Sequence, residues 1–274
     1  MRRVDSPAGP TWFESELLAA AGARAAFSSR TGGASFAPFD ALNLGPGAGD
    51  DPAAVAGNRR RWFAALGLDP AAPACGRQTH GANVVEVRAG DRGRGALEGS
   101  AAFPDCDGLL TVERGQPLFC LSADCALVAM AAPGGSGCAV VHAGWRGLAA
   151  GIVERGAGLL AAAAGCRPGE LRAFVGAMLG EECFAVREDF VEALRSAWGR
   201  EEAGRFLLRG ESGGTRFRYQ SAVERRLDIA GIARQNVEGI GLCTACRPEL
   251  FYSHRASGGR TGRMAMTVWL PATR

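Results

Sequence analysis

Four short apolar runs crowd the stretch from Gly108 to Gly144: GLLTV, PLFCLSA, LVAMAAP and CAVVHAG. Each has the length and composition of a buried strand. The last two are joined by Gly134, Gly135, Ser136 and Gly137, a run that predicts a tight turn. A hairpin follows, and it brings the ends of its two strands together without help from distant sequence. Cys125 and His142 fall near those ends.

The rest of the chain mixes both periodicities. Thr11 to Ala26 predicts a short helix leading into a strand. Asp51 to Leu66 predicts a helix capped by Asp50 or Asp51, with Pro52 in its first turn and Val55, Trp62, Phe63 and Leu66 on one face. ANVVEVR (82–88) and RMAMTVWL (263–270) read as strands. Leu148 to Ala164, Glu188 to Trp198 and Ala222 to Asn236 read as helices, with a strand over 173–179. Strands and helices do not alternate strictly, which favours an α+β fold with a mixed sheet over a Rossmann fold. There is no internal repeat and no long linker, so residues 1–274 are expected to form a single domain, with a flexible N-terminus over residues 1–10.

The chain has 274 residues, 47% hydrophobic and 22% charged, enough apolar surface for a core without disulfide staples. The nine cysteines are an odd number and scattered; Cys120, Cys138 and Cys166 read as small buried hydrophobes. The N-terminus carries two arginines but no apolar run behind them, and Asp124 interrupts the longest apolar stretch. A soluble, cytoplasmic protein in a reducing compartment is expected, with no membrane partner. The net charge of +3 is too small to argue for nucleic acid, and the sparse aromatics do not interleave with the arginines. All 31 basic residues are arginine, which removes lysine Schiff bases and P-loop chemistry.

His80, Cys125 and His142 each adjoin a hydrophobic run. Two imidazoles and a thiolate suit Zn²⁺, and three protein ligands leave a fourth position open, the mark of a catalytic rather than a structural zinc. Gly81, Gly144 and Gly147 flank these residues and permit close backbone approach. Asp107 and Asp124 are candidates to orient a ligand imidazole or accept a proton; strand-end hydrogen bonding is the plainer role for both. Cys243 and Cys246 form a C-x-x-C with no second copy, read as structural or incidental before redox. NRRRWF (58–63) reads as a solvated helix face. Arg30, Arg146 and Arg255 sit in Gly/Ser-rich turns where guanidinium groups and free amides can hold an anion such as phosphate. Serine-hydrolase, P-loop, H-E-x-x-H and cytidine-deaminase signatures are all missing.

SRTGG, ALNLG, DDP…NRRR, QTHG, DGLLT, SADC, HAGWRG, GLCTAC, FYSHR and TGRMA follow one another along the chain. In this order they resemble the YfiH-type family, also called the laccase-domain or polyphenol oxidase family, from about Ala26 to Leu270. The resemblance implies a single α+β domain with β-sheets flanked by helices, and zinc held by the residues matching His80, Cys125 and His142. It implies phosphorolysis of adenosine, inosine, guanosine and methylthioadenosine, with a purine nucleoside and phosphate as partners, and hydrolytic deamination of adenosine. The chain would then be both transferase and hydrolase. For deamination, zinc lowers the pKa of water and a carboxylate such as Asp124 handles the proton, so Cys125 and Asp124 are the catalytic candidates. Arg30, Asn43, Arg146 and Arg255 are assigned to substrate binding from their turns and motif positions.

Other functions described for the family set the rivals. One is amidase-like removal of a misincorporated serine from a UDP-linked muramoyl-serine precursor of peptidoglycan, with Cys125 as nucleophile. Another is copper-dependent phenol oxidation, for which three histidines are too few. A non-enzymatic metal-binding protein is the last. One stretch departs from the family: where relatives show G-P-A-I-G-P-C-C-Y-E-V, this chain reads GAMLGEECFAV (Gly176 to Val186), without the prolines and with the single Cys183.

Overall fold

Apolar runs that do not alternate with polar residues need cover on both faces, and the chain supplies it by stacking two sheets between helices. The computed structural model describes residues 1–6, 9–97, 99–210 and 213–272. One six-stranded sheet runs in the order Arg2–Val4, Trp12–Glu14, Arg24–Ser28, Met264–Trp269, Leu118–Ser122, Ala74–Cys75. The second runs Val237–Gly239, Arg172–Val175, Ala126–Ala131, Cys138–Ala143, Gly108–Thr111, Val84–Glu86. A small three-stranded sheet (Ala185–Val186, Thr215–Phe217, Leu207–Arg209) lies apart from both. The architecture is the expected mixed α+β arrangement.

Side-chain alternation sorts the layers. Leu127, Ala129 and Val140 pack with Phe27, Cys120 and Met266 between the sheets. Val128, Met130 and Val141 face the other way, onto Ile152, Ala157 and Leu160 of the helix Ile152–Ala164. Trp62 and Phe63 of the helix Pro52–Ala65 close the outer face of the first sheet against Ala26, Phe119 and Ala265. Asp51 caps that helix as expected, accepting from the Ala53 amide at 3.0 Å.

Several expectations need correction. Arg2–Val4 is not a loose end but an edge strand paired with Trp12–Glu14. Between Thr11 and Ala26 the expected short helix (Glu16–Ala20, capped by Ser15 and ended by Gly22 at φ 90°) does lead into a strand, and the addition is a further strand, Trp12–Glu14, before it. The helix expected over 148–164 is two, Trp145–Ala149 and Ile152–Ala164, broken where Gly151 takes φ 83°. The helix expected over 222–236 spans Tyr219–Ile229 and stops before Gly231 at φ 90°. Arg59, placed on a solvated face, is 1% exposed. Its guanidinium donates to the carbonyls of Leu44, Gly95 and Ala96 and lies over the Phe119 ring. Among the described residues, no helix is long and apolar enough to cross a membrane.

Candidate metal centre

The hairpin places two donors by register alone. Leu127 pairs with His142 and Ala126 with Ala143, so Cys125 sits just before one strand and opposite the end of the other. The buried Tyr219 hydroxyl staples this end. It donates to the Ala143 carbonyl and accepts from the Ala126 amide at 3.0 Å.

The third donor arrives through Asp107, which is fully buried. One carboxylate oxygen accepts from His142 Nδ1 at 2.8 Å and from the His80 amide at 3.0 Å. The other accepts from the Thr79 and Gly81 amides, both at 2.9 Å. Three consecutive amides can converge on one carboxylate because His80 adopts φ 63°. That left-handed conformation costs a non-glycine residue about 1 kcal/mol or more; the hydrogen bonds of Asp107 offset it. A single side chain thus orients one imidazole and delivers another.

The donor atoms of His80, Cys125 and His142 all lie within 4.8 Å of one another. His80 Nε2 is 3.9 Å from Cys125 Sγ, and the two imidazole rings are 4.9 Å apart, edge to face. Tetrahedral zinc with ordinary Zn–S and Zn–N bonds would set a sulfur and a nitrogen about 3.6 Å apart. The residues therefore fit such an ion with little adjustment. With Nδ1 bonded to Asp107, His142 offers Nε2 inward. Gly144 keeps the space open: a Cβ there would meet His80 Cδ2 at 2.8 Å and Cys125 Sγ at 3.4 Å. A Cβ at Gly147 would meet the Gly81 carbonyl at 2.5 Å, so the two glycines of HAGWRG serve the same centre.

Burial would raise the Cys125 thiol, but His142 and His80 outweigh it and hold it down at about 6. Burial likewise opposes a charge on His142, yet Cys125 and Asp107 push it up. The same neighbours that favour the thiolate are the ones that would share a cation with it.

The centre opens into a cavity of about 1310 Å³. Trp145, Phe184 and Phe190 line it together with Arg146 and Arg255. Trp145 packs on Phe190 with centroids 4.5 Å apart, and Arg146 lies over Trp145 at 4.3 Å. Leu179, Phe184, Ala185 and Val186 of the divergent Gly176–Val186 stretch line the same cavity. Asp124 does too, in a left-handed conformation (φ 89°). Its oxygens accept from Thr244 Oγ1 at 2.6 Å and from the Arg255 amide at 2.7 Å.

Two assigned binding residues lie elsewhere. Arg30 spends its guanidinium on the carbonyls of Asp40 and Pro248 and stacks over Tyr252. Asn43 is fully buried, bridging Gly45, Asp50 and the Arg263 amide. Neither lines the cavity, because their turns use them to tie loops together. Sequence reasoning instead passed over Trp145, Phe190 and Tyr219; only the adjacency of Trp145 to His142 in HAGWRG could have pointed to one of them.

A family model described as multi-copper polyphenol oxidoreductase laccase matches residues 24–271. The chain is 33% identical over 261 residues to a protein of Geobacillus stearothermophilus named purine nucleoside phosphorylase YlmD, covering 92% of each chain. It is 36% identical to a purine nucleoside phosphorylase of Xylella fastidiosa, covering 87% of this chain and 88% of the other. Among solved structures, YlmD from Geobacillus stearothermophilus superposes with a TM-score of 0.90 at 31% identity, over 98% of this chain and 99% of that one. A YfiH protein of Bacillus licheniformis gives 0.90 at 29% identity, over 98% of both. The match of nearly the whole chain to the model and to these relatives makes it a member of the YfiH-type, laccase-domain family.

Proposed function

We propose that this chain is a zinc-dependent purine nucleoside phosphorylase that also deaminates adenosine. The observation that carries the reading is the His80–Cys125–His142 donor set at the floor of a cavity walled by aromatic rings and arginines. The relatives' names support the phosphorylase part. A purine offers a flat π-face to Trp145, Phe184 or Phe190, and Arg146 would hold phosphate against the sugar. Arg255 lines the same cavity, but its guanidinium donates to the Ala185 carbonyl at 2.8 Å and lies over Phe184, so its share in phosphate binding is the smaller. The volume exceeds the few hundred Å³ of an ordinary small-molecule site, which leaves room for two substrates.

His80, Cys125 and His142 would hold the zinc, which supplies Lewis acidity and an activated water. Asp107 fixes the tautomer of His142 and the position of His80. Asp124 brings a carboxylate to the cavity wall beside Cys125. Its two hydrogen bonds leave lone pairs free to take a proton during deamination. Copper of the multi-copper kind is disfavoured by donor count: the chain has three histidines, and His254 belongs to neither donor group.

One observation favours a second reading. Cys125 Sγ lies 3.9 Å from His80 Nε2 and within reach of His142, and these imidazoles lower its thiol, a pairing of cysteine and base that suits amidase-like release of serine from a UDP-linked muramoyl-serine.

The test is chromatography of products after zinc-loaded protein meets adenosine and phosphate. Adenine with ribose 1-phosphate is expected, with inosine as the deamination product. No conversion despite bound zinc would overturn the nucleoside reading in favour of precursor editing.

A further inference from the structure

A second donor group lies outside the centre just described. The sulfurs of Cys183, Cys243 and Cys246 lie within 4.8 Å of one another, and all three are free. Cys183 Sγ is 3.4 Å from Cys246 Sγ. Two segments meet here, joined by a parallel bridge between Met178 and Cys243 and by the Thr244 amide donating to the Met178 carbonyl.

The Gly180 amide donates to Cys243 Sγ at 3.1 Å. Although burial opposes it, that bond and the amides of Cys246 and Ala245 lower the Cys243 thiol. Burial raises Cys183 to about 12, and the neighbouring sulfurs of Cys246 and Cys243 add to the rise. A divalent cation shared by the three sulfurs would account for their convergence. Tetrahedral zinc places its sulfur ligands about 3.8 Å apart, inside the range spanned here, and C-x-x-C is the usual spacing for one pair of them. Glu182 reaches the same side of Cys243. A point 3.1 Å from Cys243 Sγ, above Gly180, is 3.2 Å from Glu182 Oε2.

We propose that Cys183, Cys243 and Cys246 form a second, structural zinc site, with Glu182 or water as the fourth ligand. Its place in the fold gives it a role. Cys183 precedes Phe184 and Ala185, which line the cavity. Thr244, between the paired cysteines, donates to Asp124 beside Cys125. Zinc here clamps the cavity wall to the turn that holds Asp124. The inference is independent of the nucleoside reading, because its readout is metal content.

The experiment measures zinc per chain by mass spectrometry in protein kept reduced, loaded with Zn²⁺ and desalted. The native chain is expected to hold two ions, and His142→Ala and Cys246→Ser one each. Cys246 is the exposed member, so its replacement disturbs packing least. Co²⁺ loaded into His142→Ala gives an independent reading that needs no cysteine variant. An intense sulfur-to-cobalt charge-transfer band is expected, and its absence would overturn the site. Zinc content that Cys246→Ser leaves at the native level would overturn it as well. So would a reduced native chain that binds one ion and loses two of its nine thiols to an added oxidant, which would make the group a dithiol–disulfide pair.

Discussion

The two donor groups differ in what holds them. His142 lies on a central strand, Cys125 abuts one, and the buried Asp107 bonds to two of the three candidate donor residues. Cys183 and Cys246 lie on turns and Cys243 on a single bridge, and of the three sulfurs only that of Cys243 is held by a backbone amide. The first centre is built before a cation arrives, which suits chemistry that needs donors held to fractions of an ångström. The second is assembled from loops, so a cation bound there acts mainly on stability.

The sharpest break between them is expected from His142→Ala set against Cys246→Ser. The first should bring nucleoside turnover down to the buffer control while leaving most of the melting temperature intact. The second should keep turnover within an order of magnitude and lower the melting temperature of zinc-loaded protein. Turnover assays and thermal melts with and without chelator read both. Equal loss of turnover in the two variants would abolish the distinction between a reactive and a structural group.

Asp107→Asn tests the preorganisation of the first centre. The amide keeps the shape but turns one carboxylate oxygen into a donor, which costs the Thr79 and Gly81 amides their acceptor if it replaces Oδ2, and it removes the charge that His142 faces. Zinc affinity is expected to fall about 10–100-fold, as for other partners of ligating histidines. Chelator competition measures it. Unchanged affinity would mean that His80 and His142 are positioned by packing alone.

The sequence made one half of this centre legible and hid the other. Cys125 and His142 were readable together because a hairpin is a local object: GGSG and two apolar runs suffice. The helix Glu188–Trp198 was readable to the residue from its period. His80 was legible as a candidate donor but not as a neighbour, since its position depends on Asp107, 27 residues away, gathering the amides of Thr79, His80 and Gly81. Arg59 shows the same limit from the other side. A charged helix face reads as solvated unless one knows that carbonyls from two distant loops line up against it. Arg30 and Asn43 lie outside the cavity wall: a polar residue in a turn has two uses, binding a ligand or tying the turn, and only packing distinguishes them.

That distinction gives the next prediction. Arg146→Ala should raise KM for phosphate about tenfold or more, the range for losing a hydrogen bond to a charged group, with little change in stability. Arg30→Ala should leave KM for phosphate alone and lower the denaturation midpoint, since its partners are Asp40, Pro248 and Tyr252. Steady-state kinetics at varied phosphate decides it. An unchanged phosphate dependence in Arg146→Ala would remove that residue from the role.

The smallest effect is expected from Tyr219→Phe. The hydroxyl bridges the Ala126 amide and the Ala143 carbonyl, the two backbone groups next to Cys125 and His142 in the hairpin. Both sit in the core, so its loss leaves a buried donor unpaired at a cost of about 1–3 kcal/mol, read as a lower midpoint in urea. The ring stays in place against Phe184 and Phe217, so no cavity of consequence opens. Zinc affinity should fall less than in Asp107→Asn, because the strands still pair on either side of the lost bridge. If the affinity losses are equal, the rigidity of the centre resides in the backbone at the strand ends. If Tyr219→Phe costs stability but not affinity, it resides in the carboxylate that the two imidazole-bearing segments share.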